Sequence, residues 1–394
     1  MLAAWGFLAN CALCLNVQTG IVDMTPPEPL PLGGYTARKG ALSQPGGDHL
    51  YARAVVLSQG RKKLAVVSFE TLTIPESLVD EVRANIPKGI DLCLVATHTH
   101  CAPDSQMLNK RMTLSVPGIS NYQRKWLDWT AGRLSGLVRD TLRRPSESVD
   151  GLAIRQAFVT LNRARRKGAH PDPTFTMLSA GRRDLLASFA AHATVYDEHR
   201  LQPSGDWPGA FSALTGAAFL PGAIGDMSPN VDNSKPGSAI TQLVCKARSA
   251  LQTSRPRSIT GILRIIKQPV RLDPATPSPA FMSENNVPEV LAKVMVTKFA
   301  PPTATVTAWS LGKLAVVGVP GEPTAAVSRR IEAAGRAAGF ATTLVISHCN
   351  GWCGYILEAD DYARGGYEAT LSFNGPNTAE RVVEACGLAL NKLN

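Results

Sequence analysis

LVATHTHCAPDS, residues 94–105, sets an apolar run directly against two histidines separated by one residue. Residues 91–93 extend the run backwards to DLCLVATHTH, a continuous apolar strand of the kind covered on both faces. Its neighbours fit the same reading. YARAVVLSQGRKKLAVVSFE, residues 51–70, predicts a hairpin turning at Gln59-Gly60. PESLVDEVRANI then places Leu78, Val79, Val82 and Ile86 on one side of a helix. Further on, YQRKWLDWTAGRLSGLVRDTLRR, TAAVSRRIEAAGRAAGF and TAERVVEACGLALNKL have helical spacing, while LLASFAAHAT and KLAVVGVPGE are apolar strands. Strands alternating with helices predict an α/β protein with mixed β-sheets flanked by helices. No internal repeat divides it, so one large domain is expected. The Pro- and Ser-rich stretch from Lys267 to Asn286 is the expected mobile loop.

The bulk numbers agree. A chain of 394 residues, 44% hydrophobic with 33 Gly and 28 Pro, suits a loop-rich α/β protein better than a helical bundle. The net charge of +10 is scattered and forms no long basic stripe interleaved with aromatics, so nucleic acid is not an expected partner. A basic surface does attract anionic substrates or lipid head groups, which keeps peripheral membrane contact open. Eight cysteines in a chain this long do not read as a disulfide framework. The neighbours of Cys93, Cys245 and Cys386 predict plain buried thiols, and a zinc site joining the Cys11/Cys14 and Cys349/Cys353 pairs is not expected. Residues 1–21 open with MLAAWGFLANCALCL, a first strand or a vestigial signal that lacks a basic leading region. Localisation, cytoplasmic or exported, and oligomeric state are left open.

The polar residues at the strand ends carry the chemistry. If the strand continues to residue 100, His98 and His100 point to the same side, where one can bind a metal and the other carry a proton. Two surface histidines are the competing reading. His192 ends LLASFAAHAT, and Glu322 stands where VVGVPGEPT passes from strand to helix. Taken singly, His192 is a core histidine bonded to backbone and Glu322 an acid facing a helix dipole. Repetition favours chemistry, because three apolar strands each deliver a metal-type ligand at the carboxyl end, where sites of α/β sheets collect. Two histidines and a carboxylate make a catalytic zinc set with a position left for water. Two further stretches are dense in polar groups: LPGAIGDMSPNVD, with Asp226, Ser228 and Asn230, and CNGWCGYILEADDYARGGYEA, with Tyr355, Tyr362 and Tyr367.

In this order ATHTHCAP, FAAHAT, GDMSPN, VPGE and GYILEADDYARGGYEA resemble the neutral/alkaline, non-lysosomal ceramidases, and NRARR and VDMTPPEPLPLGGY fit the same family. The resemblance begins near Val22, so residues 22–394 are expected to form a ceramidase-like catalytic domain without the family's C-terminal immunoglobulin-like domain. It implies a zinc amidase that cleaves the N-acyl bond of ceramide to a sphingoid base and a fatty acid. The implied ligands of one zinc ion per chain are His98, His192, Glu322 and Tyr355. His100 is implied beside the water, Arg163 and Tyr367 face the substrate carbonyl, and Ser228 matches a serine important for activity. Cys101 stands where the family has serine, as an extra ligand or, preferentially, an inert thiol. The rivals are an amidase for a smaller N-acyl amide, a serine hydrolase using Ser228, and a non-catalytic zinc-binding homologue. GDMSPN is not the G-x-S-x-G elbow, which weighs against the serine hydrolase.

Overall fold

The computed structural model describes residues 14–285 and 287–394. Residues 1–13 of the apolar opening, with Cys11, lie outside them. β1 (Leu15–Asp23), β2 (Tyr51–Gln59), β3 (Lys62–Phe69), β4 (Asp91–Ala96) and β5 (Glu147–Val149) make a five-stranded sheet in the order β4-β3-β2-β1-β5. β1 therefore crosses the expected boundary at residue 22 and lies inside the sheet between β2 and β5. The next strands are β6 (Leu152–Phe158), β7 (Asn162–Ala164), β8 (Thr174–Ala180), β9 (Arg183–Phe189), β10 (Ala218–Pro221), β11 (Met227–Pro229) and β12 (Arg257–Ile259). Of these, β10-β9-β8-β6-β12 form a second sheet, and β7 pairs with β11. Last come β13 (Leu263–Val270), β14 (Ala304–Leu311), β15 (Leu314–Gly318), β16 (Glu322–Pro323), β17 (Thr342–Ile346) and β18 (Tyr355–Ile356). A third sheet runs β13-β14-β15-β17, and β16 pairs with β18.

Strand alternation explains how three sheets share one interior. On β2, Ala52, Ala54 and Val56 face the helices Glu76–Asn85 and Arg124–Arg143, while Val55 and Leu57 face inward. Cys93 and Val95 of β4 join them there, with Ile154 and Leu178 of the second sheet and Trp309 and Val316 of the third. Both faces of β4 are buried, as its unbroken apolar run requires. The outer face of the second sheet packs on the helices Asp206–Thr215 and Pro236–Thr253, and that of the third on Ala325–Ala337 and Thr378–Leu393. The architecture is thus mixed sheets flanked by helices.

Each sheet contains one parallel pair: β3 with β4, β9 with β10, and β15 with β17. The chain leaves the carboxyl ends of β4, β9, β15 and β17 in loops that meet, and the site forms there. Two local expectations differ. Lys267 to Asn286 is not one loop, because Leu263–Val270 is a strand paired with β14 and Pro279–Asn285 a helix anchored by Phe281. Cys245 is exposed on the helix Pro236–Thr253, whereas Cys93 and Cys386 are buried. No helix among the described residues is long and apolar enough to cross a membrane.

Candidate metal centre and catalytic site

β4 ends at Ala96, so His98 and His100 do not continue a strand. His98 instead takes a left-handed backbone conformation, φ 66°, that redirects the chain. Both rings still reach the same place. His98 Nδ1 lies 2.8 Å from the Leu72 carbonyl, and His192 Nδ1 lies 2.8 Å from the Met227 carbonyl. A carbonyl can only accept, so each Nδ1 carries a proton, and in the neutral ring each Nε2 then offers a lone pair. This is how metal-binding histidines are ordinarily oriented. Both Nε2 atoms converge on Glu322 Oε2, at 3.5 Å from His98 and 3.4 Å from His192.

Glu322 owes its place to the parallel pairing of β16 with β18, which sets it opposite Tyr355. Its Oε1 accepts from Trp352 Nε1 at 2.8 Å, whereas the buried Oε2 has no hydrogen-bond donor. The Tyr355 hydroxyl lies 3.4 Å from His192 Nε2. Burial pushes the Tyr355 phenol well above its ordinary pKa, reinforced by the Glu322 charge. Burial, helped by the Arg165 guanidinium, brings His192 down to about 4, and burial and the neighbouring imidazoles hold His100 well below the usual imidazole value. Burial thus holds His100 and His192 in the neutral form beside the buried Glu322 carboxylate, which the neighbouring imidazoles keep well below the usual carboxylate range against its own burial. An uncompensated buried carboxylate surrounded by lone pairs calls for a cation.

His348 is the residue the sequence reading missed. It is fully buried at the end of β17, with its ring stacked on His98 at a centroid distance of 4.3 Å. His98, Glu322 and His348 each offer a donor atom, and these atoms lie within 4.8 Å of one another, so the three could hold a metal ion. The signal was present in TTLVISHC, an apolar run ending in histidine like those before His98 and His192.

The remaining expected residues are arranged around this cluster. His100 Nε2 is 3.3 Å from His98 Nε2, and its Nδ1 is buried without a partner. That nitrogen faces Gly34, where a Cβ would lie 2.4 Å away, so only glycine leaves room for the ring. Tyr367 sits at the rim, 54% exposed, with its ring 6.0 Å from that of Tyr355. Tyr362 is further out and half-buried.

Arg163 is exposed on β7, and its side chain makes no hydrogen bond or ion pair among the described residues. β7 ends at Ala164, and the turn that follows swings Arg165 inward instead. The Arg165 guanidinium lies 6.0 Å from the Tyr355 ring, donates to the Gly225 carbonyl at 2.6 Å and pairs with Glu368 at 3.1 Å. Its Nε is buried without an acceptor.

Ser228 is buried in β11 opposite Arg163, and its hydroxyl makes no hydrogen bond among the described residues. Asp226 and Asn230 have structural partners: Asp226 accepts from Ala325 N at 2.9 Å, and Asn230 donates to the Thr160 carbonyl at 3.2 Å. Cys101 is buried against Arg38 rather than the cluster, and burial, with Asp206 nearby, raises its thiol to about 12. Such a thiol is inert.

No protein-family model matches the chain, and a comparison with curated proteins found no match. Solved structures do share its fold. A neutral ceramidase from Pseudomonas aeruginosa superposes with a TM-score of 0.79 at 19% identity, over 97% of this chain and 74% of that one. A ceramidase complexed with C2 gives 0.79 at 18% identity, over 97% and 75%.

Proposed function

We propose that the chain is a ceramidase-like amide hydrolase acting with one zinc ion, which His98, His192 and Glu322 would hold with Tyr355 beside them. The observation that carries this reading is the convergence of two carbonyl-pinned Nε2 lone pairs on the donor-free Oε2 of Glu322. A nitrogen- and oxygen-donor set of this kind suits zinc. When bound, zinc supplies Lewis acidity, polarising an acyl carbonyl and making water a nucleophile near neutral pH.

The chain's own groups supply the rest. His100 is held neutral by burial and turns Nε2 toward His98 and the cluster, so that nitrogen would take a proton from attacking water and return it to the leaving nitrogen. Without that proton the amine is a poor leaving group. Arg165 brings a fixed positive charge beside Tyr355, suited to the negative charge that develops on the acyl oxygen. It takes the role that the family resemblance implied for Arg163. Tyr367 at the rim would meet the substrate as it enters. Ser228 would line the site; among the described residues nothing is hydrogen-bonded to its hydroxyl that would activate a nucleophile.

The substrate is proposed to be a lipid-like N-acyl amide. Support comes from Val290, Leu291 and Val294, exposed on the helix Glu289–Phe299. The inner face of that helix packs into the same apolar cluster as Trp352, the partner of Glu322. Peripheral contact with a lipid surface would follow from the same patch.

The test is turnover of N-acyl amides graded by acyl length and by head group, using zinc-loaded protein and mass-spectrometric detection of the released acid. Preference for a long acyl chain on a sphingoid head supports a ceramide-type substrate. A preference for short or polar acyl groups would replace it by a smaller amide, and absence of turnover across the panel would remove the hydrolase reading.

A further inference from the structure

The ligand set that the family resemblance implies does not include His348, yet the fold fixes the backbone of this residue firmly. Its backbone is left-handed, φ 54°, a conformation that is unfavourable for a residue with a β-carbon. Several bonds enforce that conformation. His348 N donates to the Gly321 carbonyl at 3.1 Å, beside Glu322, and its own carbonyl accepts from Ala96 N at 3.4 Å, beside His98. Asn350 ties the same turn to β4, accepting from Leu94 N at 2.9 Å and donating to the Leu92 carbonyl at 2.6 Å. Ser347 donates from its backbone to the Pro221 carbonyl at 2.9 Å. The turn thus fastens the loop after β15 to the ends of β4 and β10.

The ring so placed has no protein partner. Neither Nδ1 nor Nε2 makes a hydrogen bond, although the residue is 0% exposed. A neutral imidazole left so forgoes both a donor and an acceptor, an unfavourable state for a buried ring. A buried histidine kept for packing alone would have protein partners for its ring nitrogens. His348 Nε2 instead faces Glu322 Oε1 at 3.7 Å, on the other oxygen of the carboxylate from His98 and His192.

We infer that His348 is an additional ligand of the metal ion, so that this chain's centre is built from three imidazoles and the Glu322 carboxylate. The inference rests on the metal-centre reading above and adds the third imidazole to it. Three neutral nitrogen donors and one carboxylate leave a divalent ion with one net positive charge, provided Tyr355 keeps its proton. The set favours late first-row divalent ions, among them zinc and cobalt.

The experiment counts imidazoles. X-ray absorption at the zinc edge of the zinc-loaded wild-type chain should show the multiple scattering of three imidazoles. In parallel, zinc affinity is measured against a chromogenic chelator, and the visible spectrum of the cobalt-loaded protein is recorded, for wild type and His348→Gln. The expected result is a loss of zinc affinity of about 10²-fold or more and a changed cobalt spectrum in the variant. Two imidazoles in the wild-type spectrum would overturn the inference, whether or not His348→Gln folds. So would unchanged affinity and an unchanged cobalt spectrum in a folded variant. A wild-type chain that binds no divalent metal at all would instead remove the metal-centre reading on which the inference stands.

Discussion

His98 and His192 leave the first and second sheets with Nδ1 tied to the carbonyls of Leu72 and Met227, whereas His348 leaves the third sheet with neither ring nitrogen bonded. Glu322 belongs to the third-sheet half as well, held through Oε1 by Trp352 and left open at Oε2. One half is therefore oriented by backbone, which no substitution removes. The other has no carbonyl on its imidazole, holds its carboxylate through a single indole, and depends on a ligand for satisfaction. The difference locates the vulnerable side of the centre: it is the side that supplies the charge.

The largest effect is expected at Glu322. Glu322→Gln keeps the shape but removes the only carboxylate, and amidase kcat/KM should fall on the order of 10³-fold or more. A loss smaller than about tenfold would mean that the pinned imidazoles suffice and that the comparison is wrong. A smaller but sharper contrast lies on one short stretch. Arg165→Ala should lower kcat/KM by about 10²-fold, as for loss of one donor to a developing negative charge, while Arg163→Ala leaves it within about twofold. Equal losses at both positions, measured on the same amide, would show that the exposed arginine reaches the substrate.

These neighbours also show where sequence reading stops. The hairpin Tyr51–Phe69, the helix Arg124–Arg143 and the apolar β4 were legible because each is long enough for its period to declare itself. β7 is three residues long, and no periodicity tells which of Arg163 and Arg165 turns inward. His98 and His100 were read as sharing a strand face. They share the site for another reason: β4 stops at Ala96 and the left-handed His98 redirects the chain, a tertiary choice without a local signal.

His192 and Glu322 were legible from apolar runs ending in a ligand-type residue. His348 ends such a run too, but it stands beside Cys349 of the C-x-x-x-C pair, whose spacing is the more conspicuous local signal. Both thiols are buried. The outward turn of Cys245 and the strand within Lys267–Asn286 follow from pairing and packing that composition does not encode.

The central claim is that distant loops build a centre for a divalent cation. Zinc titrated into the metal-free chain and followed by calorimetry, with metal content counted by mass spectrometry after dialysis, tests it most directly. The account predicts one tightly held zinc ion per wild-type chain and its loss in Glu322→Gln. A wild-type chain that retains no zinc, or a Glu322→Gln variant that holds it as tightly, would contradict it.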